Sequence, residues 1–337
     1  MRVLVVKTSS MGDVIHTLPA IEDAAQAIPG IKFDWLIEEG FQEIPAWHDS
    51  VDKVIPIGLR RWRKSWFKAF LSGEIKLFLK RLRENKYDVV IDAQGLIKSA
   101  VPAKFAKGIL CGFDQSSARE SLAARFYDRK FTVDKSLHAI ERVRRLFALS
   151  LGYEYQNISP CVKLNLNAAH EEKKGFLFLH GTTWPSKHWP DESWLEFGKL
   201  LKEKDEVIYL PWATAQEKDR ADWLARELTV SVLPKLSLTQ IAELMLKAKA
   251  VVGVDTGLTH LAALLSVHSI GIYGSTDVGL TGALGRKHKN LSSDYECSPC
   301  LAKVCKVLDG KNMQPCFDRI TSEYVLKNLE ELRRNES

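Results

Sequence analysis

The chain has 337 residues, 45% hydrophobic and 27% charged, enough apolar material for one large or two ordinary domains and too much for a mainly disordered protein. No stretch approaches the roughly 18 apolar residues of a spanning helix, and MRVLVVKTSS holds too short an apolar run for a secretory signal, so a cytoplasmic protein is expected. The net charge of +6 is modest but uneven: LRRWRKSWFK (59–68) sets Arg60, Arg61, Arg63, Lys64 and Lys68 among Trp62, Trp66 and Phe67, a mixture that suits a nucleic-acid backbone, a lipid headgroup or a phosphorylated substrate as well as a solvated helix face.

In chain order, apolar β-rich runs recur at VLVV (3–6), FDWLI (33–37), KVIPI (53–57) and DVVIDAQ (88–94), separated by helical patterning such as IEDAAQAIPG. Alternation of this kind predicts a parallel sheet covered by helices. After the helical stretch LHAIERVRRLFALSLG (137–152) comes a polar passage, and a fresh series follows: FLFLH (176–180), EVIYLP (206–211), VSVLP (230–234), AVVGVD (250–255) and SIGIYG (269–274). The expectation is an α/β protein of two Rossmann-like, doubly wound domains, 1–160 and 173–320, joined near 155–172 and facing a central cleft at their carboxyl edges. ITSEYVLKNLEELRRN opens on a capping signal and predicts a last helix within 321–337, packing back on the first domain.

At the first strand-to-helix turn only Gly12 is present, so the G-x-G-x-x-G of a dinucleotide fold and the G-x-x-x-x-G-K-[ST] of a P-loop are both absent. The turn holds instead Lys7, Ser9, Ser10 and Asp13. Asp13 there is a helix cap, or a general base for a hydroxyl with Lys7 and the serines holding an anionic acceptor. In the second half, Gly181, Thr182 and Thr183 follow a strand and precede Lys187, a pattern of small donors and a cation that receives phosphate oxygens. Asp255, Thr256 and Gly257 repeat that logic at the start of a helix, with His260 one turn on. Glu217, after the EVIYLP strand, stands where an acid accepts from a ribose, or is a solvated helix charge.

KTSSMGDVIHTLPA (7–20), RRWRK (60–64), IDAQGLIKS (91–99), KHWP (187–190) and VDTGLTHLA (254–262) together closely resemble the ADP-heptose:lipopolysaccharide heptosyltransferases of Gram-negative bacteria. DTGxxHLA is shared broadly by that family, whereas the opening and the basic patch look like its first-heptose branch rather than its second. The resemblance implies a GT-B glycosyltransferase, inverting and needing neither metal nor cofactor, that moves L-glycero-D-manno-heptose from its ADP conjugate to a Kdo hydroxyl of Kdo-lipid A. By match, Asp13 is the base; Thr182, Thr183 and Lys187 hold the diphosphate; Glu217 binds the ribose; Asp255, Thr256, Gly257 and His260 hold the donor heptose and phosphates. Lys7, Ser10, Arg60, Arg61, Arg63, Lys64 and Arg119 then meet the acidic Kdo and lipid A phosphates at the cytoplasmic leaflet of the inner membrane.

Two alternatives stay open. One is a heptosyltransferase acting at the second heptose position, distinguished by acceptor choice. The other is a non-catalytic protein that uses RRWRK to hold RNA or an anionic membrane; binding backbone charge alone would not require the DTG and KHWP segments, so no nucleic-acid partner is expected. Cys297, Cys300, Cys305 and Cys316, spaced C-x2-C-x4-C-x10-C, are free thiols or the ligands of a structural zinc in a reducing compartment.

Overall fold

A computed structural model describes residues 1–167, 173–307 and 314–334, the side chains of Trp66 and Lys68 excepted. Residues 168–172 of the expected joining stretch, 308–313 of the second domain and 335–337 of the C-terminal segment lie outside the described residues. The chain separates into two units, Met1–Asn165 and Leu166–Ser337.

In the first unit the elements follow as β1 (Arg2–Val6), α1 (Met11–Ile15), α2 (Leu18–Ala27), β2 (Lys32–Glu38), α3 (Glu43–Ala46), β3 (Val51–Ile57), α4 (Leu59–Lys64), α5 (Trp66–Leu71), α6 (Glu74–Leu82), β4 (Lys86–Asp92), α7 (Ile97–Lys104), β5 (Lys107–Phe113), β6 (Arg129–Phe131) and α8 (Ala139–Leu151). Val3 to Val6 are completely buried, because a parallel strand with helices on both faces has no solvent side and reads as one apolar run. The six strands lie in the order β3-β2-β1-β4-β5-β6, and all pair in parallel. The order reverses between β1 and β4, where Val6 pairs with Asp92.

The second unit runs β7 (Phe176–Leu179), α9 (Asp191–Lys202), β8 (Ile208–Tyr209), α10 (Ala215–Leu228), α11 (Leu238–Lys247), β9 (Ala250–Val254), α12 (Gly257–Leu264), β10 (Ser269–Tyr273), α13 (Val278–Thr281), β11 (His288–Ser292) and α14 (Ser322–Arg334). Its sheet is ordered β11-β10-β9-β7-β8, again parallel, with its reversal between β7 and β9. The expected strand at 230–234 is reduced to one bridge between Leu210 and Val232; only two of its apolar residues alternate before Pro234 removes a donor. Three strands escaped expectation. β5 carries two glycines, β6 has only three residues and β11 is a polar edge strand, so none shows a long apolar run.

The last helix is built into the core of the second unit. Val325 and Leu329 are fully buried in the apolar core of the second unit, beside Ile320 and Phe317, and Ser322 Oγ donates to the Ser193 carbonyl of α9 at 2.8 Å. The apolar face of α14 is thus buried within the second unit.

Candidate functional site

In doubly wound sheets, ligands bind beyond the carboxyl ends of the strands where the strand order reverses. In the first unit that point is the junction of β1 and β4, and both strand ends bear the segments singled out in the sequence. Asp92, closing β4, is fully buried and accepts from the amides of Gln94 and Gly95 and the hydroxyls of Ser99 and Tyr127. Burial pushes its carboxyl up, against those hydrogen bonds. Gly95, at φ +67, supplies the left-handed turn that lets the chain double back into α7. The tied turn then aims Gln94 across at the β1 loop: its Oε1 accepts from Thr8 N and Oγ1, both at 2.8 Å, and its Nε2 donates to the Ser9 carbonyl at 2.6 Å. IDAQG is therefore the clamp that shapes KTSS.

Asp13 sits one turn into α1. Its Oδ2 accepts from Ser10 N at 2.8 Å and Ser10 Oγ at 2.9 Å, the reciprocal half of a capping box. Its Oδ1 lies 3.9 Å from Lys7 Nζ. Burial favours the neutral acid, but Lys7, the Ser10 amide, His16 and the Ser10 hydroxyl outweigh it and hold the carboxyl at about 2. With 29% of its side chain exposed, Asp13 is an ionised carboxylate that solvent or a ligand can reach. One oxygen thus caps α1 and the other faces the Lys7 ammonium.

Lys7 is placed differently from expectation. Its side chain is only 8% exposed, and Nζ donates to the Ala93 carbonyl at 2.9 Å; burial lowers its pKa although Asp13 and Asp92 favour the charge. An ammonium so enclosed is the counter-ion of Asp13 and not a contact for a large anionic acceptor. Lys98, absent from the expected site, takes a place beside it: Nζ donates to Ser9 Oγ at 3.0 Å. Burial, then the charges of Arg60 and Arg119, lower the pKa of Lys98, while Asp13 and Glu38 act in the other direction. Lys98 therefore stands within electrostatic reach of Arg60, Arg119 and the Asp13 carboxylate. It lies inside IDAQGLIKS, six residues past the end of β4.

Within RRWRK the side chains divide. The Arg61 guanidinium bonds Glu39 at 2.7 Å and Glu74 at 2.5 Å, which raise its pKa, so it is taken up by partners and is a poor candidate for the acceptor. Trp62 donates Nε1 to Glu74 at 2.9 Å and packs edge-on against Phe78, facing the core and not a surface. Arg60 lies over the Phe41 ring, while Arg63 and Lys64 are exposed. Of the six residues of α4 only Leu59 and Trp62, three apart on one helix face, are partly buried, so most of the helix surface is open.

In the second unit the ends of β7 and β9 meet in the same way. Asp255, immediately beyond β9, has a side chain 8% exposed and is paired with Lys187 Nζ at 2.6 Å. Thr276 Oγ1 donates to its Oδ2 at 2.5 Å, and His260 Nε2 lies 3.6 Å from its Oδ1. Burial would raise the carboxyl; His260, Lys187 and Thr276 reverse this and hold it well below the usual carboxylate range. Thr182 Oγ1 donates to the Asp255 carbonyl at 3.0 Å, Thr183 is exposed, and Thr256 is the N-cap of α12 with Gly257 its first residue. Lys187 also rests 4.6 Å from the centre of the Trp184 ring, which Lys303 approaches from 5.8 Å. Lysines, helix amides and small hydroxyls around one strand edge make a site for an anion. Thr276 went unpredicted, although it lies just past the carboxyl end of β10.

Glu217 divides its two oxygens. Oε2 accepts from Ala213 N at 2.7 Å and Thr214 N at 3.0 Å, capping α10. Oε1 lies against Gly181, where a Cβ would come within 2.3 Å of it; only glycine permits that approach. The acid is thus brought to the Gly181–Thr182 turn. Trp189 of KHWP is fully buried, donates to the Ile320 carbonyl at 3.0 Å and is a core residue.

The four clustered cysteines line one pocket with Ser186 and Gly274. Burial and the other three thiols push Cys316 up to about 12. Among the described residues no group of three or more His, Cys, Asp or Glu side chains is arranged to hold a metal ion, so the zinc expectation finds no support in this geometry.

The model of glycosyltransferase family 9 (heptosyltransferase) matches residues 75–309. Lipopolysaccharide heptosyltransferase 1 of Pseudomonas aeruginosa is 48% identical over 98% of this chain and 97% of its own. Two solved structures of an Escherichia coli heptosyltransferase, WaaC, superpose closely. The one with ADP has a TM-score of 0.87 at 45% identity, covering 98% of this chain and 100% of its own; the one with ADP-2-deoxy-2-fluoro heptose has 0.83 at 44%, covering 98% and 99%. The two parallel doubly wound sheets are those of the GT-B architecture. The chain belongs to glycosyltransferase family 9, the heptosyltransferases, and is an enzyme that transfers heptose.

Proposed function

We propose that this enzyme transfers L-glycero-D-manno-heptose from ADP-heptose to a Kdo hydroxyl of Kdo-lipid A, with inversion at the anomeric carbon. The observation that carries the reading is Asp13: an accessible carboxylate kept ionised by an enclosed lysine, with Lys98 within electrostatic reach of it. A single displacement needs one base on the acceptor hydroxyl and a stabilised leaving group, and no second carboxylate as nucleophile. The acceptor oxygen attacks the anomeric carbon as the bond to the diphosphate breaks. A carboxylate held near 2 is a weak base, so it takes the proton late, when bond formation has already acidified the hydroxyl.

Arg60, Arg63, Lys64, Lys98 and Arg119 attract the acidic Kdo carboxylate and lipid A phosphates and orient the hydroxyl toward Asp13. In the second unit Lys187 and the first amides of α12 receive the diphosphate, and their positive potential offsets the charge that develops on departing ADP, which lets the reaction run without a divalent cation. Asp255 fixes Lys187 and, with His260, faces the donor sugar, while Glu217 accepts from the ribose. Because the acceptor is lipid-linked, the enzyme works as a peripheral protein at the cytoplasmic leaflet of the inner membrane.

The test is ADP release from ADP-heptose in the presence of chelator, with Kdo-lipid A and with the already heptosylated core offered separately. Turnover on Kdo-lipid A alone supports the reading; turnover confined to the heptosylated core overturns it in favour of second-heptose transfer.

A further inference from the structure

The basic excess of this chain has a single address. Between Leu59 and Arg83, nine of 25 residues are Lys or Arg and only Glu74 is acidic, a net +8 against +6 for the whole chain, so all the rest is net −2. Glu74 is itself paired with Arg61. The same segment holds the strongest apolar exposure of the first unit: Phe67, Phe70 and Leu71 are 60%, 65% and 69% exposed and Leu77 is 49% exposed.

These residues are not scattered. Positions 67, 70 and 71 share the i, i+3, i+4 face of α5, while Ala69 on the opposite side is buried. In α6, Phe78 and Leu82 bury the inner face, and Lys76, Leu77, Lys80 and Arg81 are exposed. A soluble protein seldom leaves such a stripe to water unless something covers it. Phenylalanine and leucine rimmed by lysine and arginine, on short helices that cannot span, is the chemistry of a segment lying in the headgroup layer of an anionic bilayer.

We infer that α5 and α6 form the element that docks this enzyme onto an anionic bilayer, Phe70, Leu71 and Leu77 entering the headgroup layer and Lys76, Lys80 and Arg81 meeting lipid phosphates. The inference rests on the proposed lipid-linked acceptor, since a docked first unit meets the Kdo group at the surface where it is displayed. It also separates surface residence from acceptor recognition: Arg63 and Lys64 of the neighbouring α4 serve the acceptor, and the next two helices serve the membrane.

The experiment is co-sedimentation of the full chain with acceptor-free vesicles of phosphatidylcholine, alone or with roughly a third phosphatidylglycerol, for wild type, Phe70→Ser/Leu71→Ser and Lys76→Glu/Lys80→Glu. Wild type is expected to partition at least about tenfold more strongly onto the anionic vesicles, and each double variant to lose about tenfold or more. Thermal unfolding and transfer to a deacylated, water-soluble Kdo acceptor are expected to stay unchanged in both variants. Equal binding to neutral vesicles, or double variants that bind like wild type, would overturn the inference. So would RNA binding as tight as vesicle binding and indifferent to Phe70 and Leu71, which would make the segment a general polyanion surface. Vesicle binding that follows these variants while wild type fails to act on the Kdo acceptor supports the docking and counts against the acceptor reading alone.

Discussion

Lys187 is held by Asp255: the ammonium lies 2.6 Å from Oδ2, in a pair whose side chains are 17% and 8% exposed. The pairing places a cation beside the first turn of α12 before any anion arrives, and lysine, with its long flexible stem, would otherwise have to be ordered on binding.

Replacing Lys187 with Met is expected to weaken ADP binding by about 10- to 100-fold, the worth of a charge-assisted hydrogen bond. Calorimetric titration with ADP, with no sugar present, measures this directly. Unchanged affinity would remove Lys187 from the diphosphate site.

Asp255→Asn separates position from charge. If Asp255 serves to position Lys187, the variant binds ADP several-fold more weakly although it has one negative charge fewer. Tighter binding of ADP by Asp255→Asn would show that the aspartate only opposes the nucleotide.

Asp13 is held at about 2 against an ordinary 3.8, and Asp255 likewise lies below the usual range. Both bind a proton less readily folded than unfolded, so stability is fully present above about pH 4 and is lost as pH falls toward about 2. Urea unfolding across that window should give a slope that flattens in Asp13→Asn and in Asp255→Asn. The same values predict that an acid limb of kcat/KM of the free enzyme between pH 5 and 7 does not move in any variant that shifts Asp13.

Lys7→Met keeps the length of the side chain and removes the charge. The Ala93 carbonyl loses its donor and Asp13 its counter-ion, so the account expects a destabilisation of about 1–3 kcal/mol and a raised Asp13 pKa, read by denaturation and by carboxyl NMR. An exposed cation would give neither.

Much of this was legible in the chain because parallel strands buried on both faces announce themselves as apolar runs, and because ligand loops follow them. Asp13, Lys187, Asp255 and His260 were all singled out by that rule, and the structure places them at the strand ends. Periodicity does not say which way a short helix turns its side chains, so Trp62 looked like a surface group until Glu74 and Phe78 were seen to hold it, and nothing in the spacing showed that the exposed Arg61 is paired with Glu39 and Glu74. Lys7 looked like a ligand contact for the same reason, and its enclosure under Ala93 is a tertiary fact. Lys98 lies in the quoted IDAQGLIKS segment but was not marked as a site residue, and Thr276 lies outside every quoted segment; both became visible only when the strand order brought neighbouring loops together.

Single-turnover kinetics of Asp13→Ala decide whether Asp13 is the base. The variant is expected to bind ADP-heptose like wild type and to lose transfer to Kdo-lipid A by about 10²- to 10⁴-fold. Transfer within a few-fold of wild type would contradict that role and leave Asp13 a helix cap.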